Sequence, residues 1–505
     1  MNHTHKAEPS AELLGIATIN PPAVAGLAAV TEDARIAGVD LDPGPAEPTD
    51  YRQLRGRLEA VRDKLPPLYR QSFVEPYIKT LNDLGEAKFA RVLRQDPQRE
   101  GSAGLLLDAA QAILQQGEGY AAEATDAFQE VVSDLYDGFL SAEDRRGVKA
   151  PDQGVIPPLV KWGNPEFGPY TWPVDATTSL GVAAGIVNLP PAQMRAGIAG
   201  WAALGHETAG HDILHADDGL QAELAEALRI QLAPLGHGLA DYWADRIDET
   251  ASDVCGILNM GPAAGIGLIA LFRGLSAAYG DEPKLRSVGP DQDPHPADIL
   301  RGFLAAETVA LLKFTGHGKW SRVIAEETNR DVTRIVVAGE AISADLARQS
   351  AAAVAKTLVT YKAESLELHA LGDIQNWRDK DELRVRTLRA ALRTGAQLAS
   401  DQLTDTYAAH VVAAGVVETV SDGSHASQLS LVFGRMLSVL KAMHDSNPSW
   451  GPLFVLHPGS LRRDRWYIPR RTRAGSTTEA FLLAEASTSD AASTEANATS
   501  SSSPA

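Results

Sequence analysis

The residues best suited to metal chemistry lie together in the stretch GHETAGHDILHADDG, residues 205–219. His206 and Glu207 begin a His-Glu motif, and His211 follows one residue later than HExxH spacing would place it. A catalytic zinc ion commonly binds two neutral imidazoles and one carboxylate, with a fourth position left for water. A further carboxylate can accept the proton of that water as it attacks a carbonyl carbon. His206 and His211 are therefore predicted metal ligands, and Glu207 is the predicted general base.

A second motif overlaps the first. His211 and His215 have the HExxH spacing, with Asp212 at the position of the base. Residues four apart share a helix face, so this motif needs no distortion of the helix. Aspartate is one methylene shorter than glutamate, however, and its carboxylate reaches a water molecule less well. Both ligand sets are kept as hypotheses; in the first, His215 lies at the helix end and outside the ligands.

An acidic segment downstream offers the third ligand. Asp245, Glu249 and Asp253 recur every four residues, so they share one face of a predicted helix. Carboxylates beside an apolar stripe repel one another unless they meet cations. Glu249 is the predicted third metal ligand. Asp248 and Asp253 are predicted to accept hydrogen bonds from the ligand imidazoles and so to hold them in the right tautomer.

The first ligand set requires a distorted helix. Residues five apart, such as His206 and His211, point about 140° from one another on a regular helix. One extra residue in a turn, a π-bulge, brings them to the same side, and such bulges are frequent at functional sites. Gly210 lowers the cost of this distortion. A bulge is therefore predicted near Gly210.

The segment DPHPADILR supplies two further candidates, His295 and Arg301. Zinc peptidases of the HExx class often place a His, Tyr or Arg across from the base, where it stabilises the oxyanion. His295 is the first candidate for this role, and Tyr170 is the second. The alternative for His295 is a His-Pro turn before a helix that starts near Pro296.

Taken together, HETAGH and DETASD resemble the HExxGH and EExxAE motifs of the dipeptidyl peptidase III metallopeptidases. The resemblance implies that His206, His211 and Glu249 hold zinc and that Glu207 is the base. It further implies hydrolysis of peptide bonds, with a peptide as substrate.

The resemblance is limited in extent. GIVNLPPAQMR, residues 185–195, is similar to the Gly-Ile-Asn-x-Pro segment of that family, with one residue inserted. Asp248 and Asp253 stand where the family has Glu, and the interval between the two motifs is short. About 75 of the 505 residues take part. The resemblance thus implies a site and a mechanism more than a whole fold or an exopeptidase specificity.

Two other classes of function compete with a peptidase. His211-Asp212 also suits a helical metal-dependent phosphohydrolase, but no histidine lies between His5 and His206 to supply its upstream ligand. A non-catalytic helical scaffold with a vestigial metal site is the second alternative. Structural zinc is usually enclosed by four Cys or His ligands, and Cys255 is the only cysteine.

The elements that would position these residues are mostly helices. SLGVAAGIVNLPP, 179–191, reads as a strand bounded by prolines, and helices are predicted from Pro190 to about Ala216, over 220–233 and over 238–259. The fold class predicted is mainly α, with one small β-sheet and helical flanking regions. A peptide substrate is expected to pair with an edge strand near 180–189.

The chain is predicted to divide into six parts. They are an extended, poorly ordered leader (1–48), an N-terminal helical region (49–150), a metal-binding catalytic core (151–300), a C-terminal helical region (301–460), an Arg-rich segment (461–475) and a disordered Ser/Thr/Ala tail (476–505).

Composition narrows the partners and the compartment. The net charge of −19 argues against nucleic acid or an anionic membrane as partner, because both need a basic surface. The uncharged run 254–272 contains Asn259, Pro262 and four glycines, so it is predicted to be buried core rather than a membrane span. One cysteine and no evident signal peptide favour a cytoplasmic location. The oligomeric state is left open.

Overall fold

A computed structural model describes residues 24–140, 148–149, 151–153, 156–289, 292–398, 403, 406–421 and 426–450. Within these residues the fold is mainly helical, with a three-stranded sheet and a separate two-stranded sheet. The predicted mainly α fold class is therefore confirmed. The predictions for the Arg-rich segment and the Ser/Thr/Ala tail lie outside the described residues.

The N-terminal region is built from amphipathic helices. Leu54, Leu58 and Val61 recur at helical spacing and are all buried, while the polar positions between them face solvent. The helices are α1 (Leu27–Val39), α2 (Tyr51–Val61), α3 (Pro67–Tyr69), α4 (Glu75–Gln95), α5 (Ser102–Glu118) and α6 (Ala122–Leu140), with a π-helical turn at Arg70–Val74 between α3 and α4.

Helix α1 corrects the prediction of an extended leader over residues 1–48. It buries Leu27, Val30 and Ala34 against a later helix, Pro262–Ala278. Gly274 of that helix allows the close approach, since an added Cβ would lie 2.5 Å from the Ala34 Cβ. The buried face of α1 includes Thr31, Ala34 and Ala37, whereas the larger apolar residues Ile36 and Val39 are exposed, so the hydrophobic periodicity of this helix is weak.

The three-stranded sheet lies beside the candidate site. Its strands are β1 (Leu159–Trp162), β2 (Tyr170–Trp172) and β3 (Ile186–Leu189), in the order β1-β3-β2. β3 pairs parallel with β1 and antiparallel with β2. The prediction of an edge strand near 180–189 is therefore wrong, because β3 is central and paired on both sides. β2 is the edge strand next to the site.

One helix between β2 and β3 and four helices after β3 carry or frame the two motifs. They are α7 (Val174–Thr178), α8 (Ile198–His206), α9 (Leu220–Leu232), α10 (Leu239–Ala244) and α11 (Ile247–Met260). The helix predicted over 238–259 is broken at Asp245 and Arg246. Asp245 consequently does not share the α11 face with Glu249, and its carboxylate pairs with Arg229 at 2.7 Å instead.

Further helices follow in the chain, and the first of them, α12, packs against α1 and α8. They are α12 (Pro262–Ala278), α13 (Asp298–Ala310), α14 (His317–Arg330), α15 (Ala344–Thr360), α16 (Leu371–Ile374), α17 (Asp379–Thr394), α18 (Ala408–Ser421) and α19 (Ala426–Asp445). A short hairpin of β4 (Ile335–Val337) and β5 (Glu340–Ile342) interrupts the predicted C-terminal helical region, 301–460.

The uncharged run 254–272 forms the end of α11 and most of α12. Gly261 separates the two helices with φ +67°, a conformation that favours glycine, and an added Cβ would lie 2.6 Å from the ring of Trp377. The run is buried within the fold. In the described part of the chain, we find no helix with the length and apolarity needed to span a membrane.

Candidate metal centre

Two helices cross at very short range to form the site. The α8 helix and the π-helical turn that follows it pack on α11. Gly205 faces Gly256, and a Cβ on Gly256 would lie 2.9 Å from the Gly205 carbonyl carbon. A Cβ on Gly210 would lie 2.4 Å from the Ser252 Cα. The glycine of HETAGH is therefore needed for contact between helix backbones, a stronger reason than the conformational freedom invoked from the sequence.

The turn after α8 has the distortion that the first ligand set requires. Residues Glu207–Asp212 form a π-helix, which adds a residue to the turn between His206 and His211. Their Nε2 atoms consequently lie 3.0 Å apart, although the residues are five apart in sequence. The predicted bulge near Gly210 is present.

Glu249 of α11 completes a group of three that could hold a metal ion. Its Oε2 lies 3.2 Å from the His206 Nε2, and its Oε1 lies 3.4 Å from the His211 Nε2. Zinc–ligand bonds of 2.0–2.2 Å in tetrahedral geometry would separate the donor atoms by about 3.3–3.6 Å, slightly more than the 3.0–3.4 Å found here. The buried Oε2 also lacks a hydrogen-bond partner among the described residues. These residues therefore fit a metal ion.

The far side of each imidazole meets a carboxylate. The His206 Nδ1 lies 2.8 Å from the Asp253 Oδ1, and the His211 Nδ1 lies 2.9 Å from the Asp248 Oδ2. An ionised carboxylate only accepts hydrogen bonds, so each Nδ1 carries the proton and each Nε2 directs a lone pair at the other. Two facing lone pairs need a cation or a proton between them.

Arg301 holds Asp253 in place from α13. Its Nε and Nη2 donate to the two carboxylate oxygens of Asp253, both at 2.7 Å, and both side chains are buried. Such two-pronged pairs are geometrically specific and strong. The boundary predicted between residues 300 and 301 therefore falls inside α13 and would separate Arg301 from the centre that it supports.

The charges of the centre are strongly coupled. Burial by itself would lower the pKa of His206, but the nearby carboxylates of Asp253 and Glu249 outweigh it and raise that pKa to about 10. Burial would raise the pKa of Glu249, yet His206 and the other nearby cationic groups hold it well below its ordinary value. Without a metal, a proton thus occupies the position where a cation fits.

Glu207 lines the same cleft as the ligands, on the side of β2. The Thr171 hydroxyl lies 2.9 Å from the Glu207 Oε2 and 3.1 Å from the Glu207 carbonyl oxygen. Only 5% of Glu207 is exposed. The edge strand therefore holds this carboxylate at the cleft wall.

The two oxyanion candidates occupy different surroundings. The His295 Nε2 lies 3.3 Å from the Glu249 Oε1, and its Nδ1 lies 2.7 Å from the Asp293 Oδ1. The hydroxyl of Tyr170 donates a hydrogen bond to the Asp108 Oδ2 at 2.6 Å. The structure thus brings His295 to the ligands, while the Tyr170 hydroxyl is already engaged.

The overlapping HDxxH motif does not converge on the centre. Asp212 is fully buried and accepts hydrogen bonds from the Tyr136 hydroxyl at 2.6 Å and the Val174 amide at 2.8 Å. The His215 Nδ1 pairs with Asp175 at 2.9 Å, and its Nε2 lies 3.4 Å from the Asp248 Oδ1. His215 therefore contacts a carboxylate behind His211, not the ligand position.

Comparison with family models, curated proteins and solved structures finds no match to this chain. The resemblance to dipeptidyl peptidase III consequently rests on the motif residues alone.

Sequence reasoning missed the roles of several supporting residues. Arg301 was named as a candidate beside His295, but its pairing with Asp253 was not predicted; a single arginine in the apolar stretch of α13 was the available signal. Nothing in the sequence indicated that Thr171 contacts Glu207, because this contact depends on the strand order. Gln221, whose amide donates to the Asp248 Oδ1 at 2.6 Å, carried none either.

Proposed function

We propose that this protein is a zinc-dependent peptidase in which His206, His211 and Glu249 hold the metal and Glu207 is the general base. The observation that carries the proposal is the convergence of two imidazole Nε2 atoms and one carboxylate at the wall of an open cleft. Three protein ligands beside a cleft leave a position for water and substrate, as catalytic zinc sites do and closed structural sites do not.

The ligand types favour zinc over the other common divalent cations. Two imidazoles and one carboxylate, separated by 3.0–3.4 Å, suit a small tetrahedral ion. Calcium takes six to eight oxygen ligands, and magnesium keeps several waters in an octahedron. Asp248 and Asp253 further favour zinc, because carboxylates behind the imidazoles raise their basicity as ligands.

Glu207 would carry the proton of the reaction. When bound, zinc would acidify a water molecule and polarise the substrate carbonyl. The hydrogen bond from Thr171 restricts the rotamer of the Glu207 carboxylate at the cleft wall. From there the carboxylate can accept a proton from the attacking water and later donate one to the leaving amine. His295, near the ligands and open to the cleft, would stabilise the oxyanion.

The cleft supports a peptide better than a phosphate ester. It has a volume of about 520 Å³, and Glu100, Glu207, Asp248 and Glu249 line it. Against these four carboxylates the lining sets one guanidinium, Arg99, and this acidic excess disfavours the anionic substrate of a phosphohydrolase. β2 borders the cleft as an edge strand, and an extended peptide can pair with such an edge.

The decisive experiment compares the wild type with Glu207→Gln. The amide keeps the shape of the side chain but cannot act as a base, so zinc content should be unchanged while turnover falls by about a hundredfold or more. The assay is the release of new amino termini from a mixture of unrelated pentapeptides. Glu86→Gln, at an exposed pair with Arg52, is the matched control and should retain full activity.

Two results would contradict the proposal. One is a zinc-loaded wild type that cleaves none of the peptides. The other is wild-type turnover by Glu207→Gln, which would remove the base from the mechanism.

A further inference from the structure

One wall of the cleft is aromatic. Phe167, Tyr170 and Trp172 all line it, on β2 and the loop that precedes it. Phe167 meets Tyr170 edge to face with ring centroids 6.3 Å apart, and Tyr170 meets Trp172 in the same way at 6.5 Å. Phe167 is 51% exposed, which is unusual for so large an apolar side chain.

The polar atoms of Tyr170 and Trp172 are hydrogen-bonded to a residue that does not line the cleft. The Asp108 Oδ2 accepts hydrogen bonds from the Tyr170 hydroxyl at 2.6 Å and the Trp172 Nε1 at 2.9 Å. The Asp108 Oδ1 pairs with the buried Lys161 Nζ at 2.6 Å. Asp108 and Lys161 are not part of the cleft lining. The rings of Tyr170 and Trp172 are therefore fixed by these hydrogen bonds, and the surface that they expose to the cleft is mostly carbon.

The wall and the catalytic carboxylate lie on opposite faces of one strand. Side chains alternate along β2, so Thr171 is directed to Glu207 while its neighbours Tyr170 and Trp172 are directed to Asp108. A peptide that pairs with the free edge of β2 would alternate in the same way. Some of its side chains would face Glu207 and the metal ligands, and the next would face the aromatic wall.

We infer that the cleft selects peptides with an aromatic side chain at a position next to the residues that face Glu207, and that Phe167 is the main determinant of this selectivity. This inference rests on the proposed peptidase function. The four carboxylates of the lining add a second preference, because they exclude acidic side chains from the same peptides. A fixed aromatic wall adds to affinity because the rings lose no freedom when the peptide binds.

Binding and hydrolysis together test the inference. Zinc-loaded Glu207→Gln protein is titrated calorimetrically with pentaalanine and with the five peptides that carry Phe at one position each. At the best position Phe should bind about tenfold to a hundredfold more tightly than Ala, the range expected for burying one aromatic side chain. Adding Phe167→Ala should remove most of that ratio, whereas Tyr279→Ala, an exposed aromatic outside the cleft, should preserve it.

The outcomes separate the inference from the function. Equal binding of the Phe and Ala peptides, or an unchanged ratio in Phe167→Ala, would overturn the selectivity. Hydrolysis by the wild type without preference for Phe would have the same consequence and leave the peptidase function standing. Preferential binding that depends on Phe167, without hydrolysis by the wild type, would support the aromatic selectivity and refute the peptidase function.

Discussion

Gly210→Ala should disrupt the metal centre although it adds a single methyl group. The new Cβ would lie 2.3 Å from the Ser252 Cβ and 2.4 Å from the Ser252 Cα. Because the second contact is with backbone, no rotamer change relieves it. The Cα and Cβ positions are both fixed by the backbone, so opening these distances to at least 3.0 Å separates the helices by about 0.7 Å.

The size of the effect follows from the tolerance of metal sites. Ligand distances within about 0.2 Å of ideal are needed for tight binding. The separation of the helices is more than three times this tolerance. His211 and Glu249 lie on the two elements that separate, so their ligand atoms move apart. Loss of a residue that supports a ligand lowers metal affinity by about 10–100-fold. Displacing a ligand itself should have at least the larger of these effects, so we expect zinc affinity to fall by about a hundredfold or more. Overpacking should also lower the free energy of unfolding by about 1–3 kcal/mol.

The assay is zinc competition with a chromophoric chelator, together with urea unfolding of the metal-free protein. Gly56→Ala is the matched control, since Gly56 lies within α2 and an added Cβ meets nothing within 4 Å. That substitution should raise stability by about 0.4–1 kcal/mol and leave zinc affinity unchanged. Wild-type zinc affinity in Gly210→Ala would refute the close packing on which the site geometry depends.

Three further predictions concern the surroundings of the site. Arg301→Lys keeps the charge but loses the two-pronged contact with Asp253, so zinc affinity should fall about 10–100-fold; Arg273→Lys, at a comparable buried pair with Asp331, should destabilise the fold without changing zinc affinity. Asp108→Asn leaves the buried Lys161 ammonium unpaired and should cost about 3–5 kcal/mol in urea unfolding, while Glu86→Gln at the exposed pair with Arg52 should have little effect. Metal-free protein should lose stability as the pH rises from neutrality through about 10, because the pKa of His206 is raised in the folded state and its proton is bound more tightly there than in the unfolded chain. Unfolding midpoints that do not change over this range in the wild type, or that change equally in His206→Gln, would contradict the assigned proton.

The convergence of His206, His211 and Glu249 could be predicted because it depends on residue types and spacing within short segments of the chain. A spacing of five residues from His206 to His211 is incompatible with one face of a regular helix, so the π-helical turn follows from requiring both imidazoles at one ion. Glu249 and Asp253 are four apart on α11, which places them on one face without further information.

The supporting structure could not be predicted in the same way. The prediction of an edge strand near 180–189 is wrong because periodicity reports burial and element type but not strand order. The helix break at Asp245 and Arg246 could not be predicted because both residues are compatible with a helix interior. Arg301 and Thr171 reach the site from elements that lie far from their partners in the chain, so no local pattern reports their contacts.

The most direct test of the metal centre is metal analysis of the purified protein beside three single variants. The wild type and His215→Ala should each carry about one zinc per chain, because His215 contacts Asp248 and not the ligand position. His211→Ala and Glu249→Ala should carry none. Full zinc retention in both of these variants, or loss of zinc in His215→Ala alone, would contradict the ligand set of His206, His211 and Glu249.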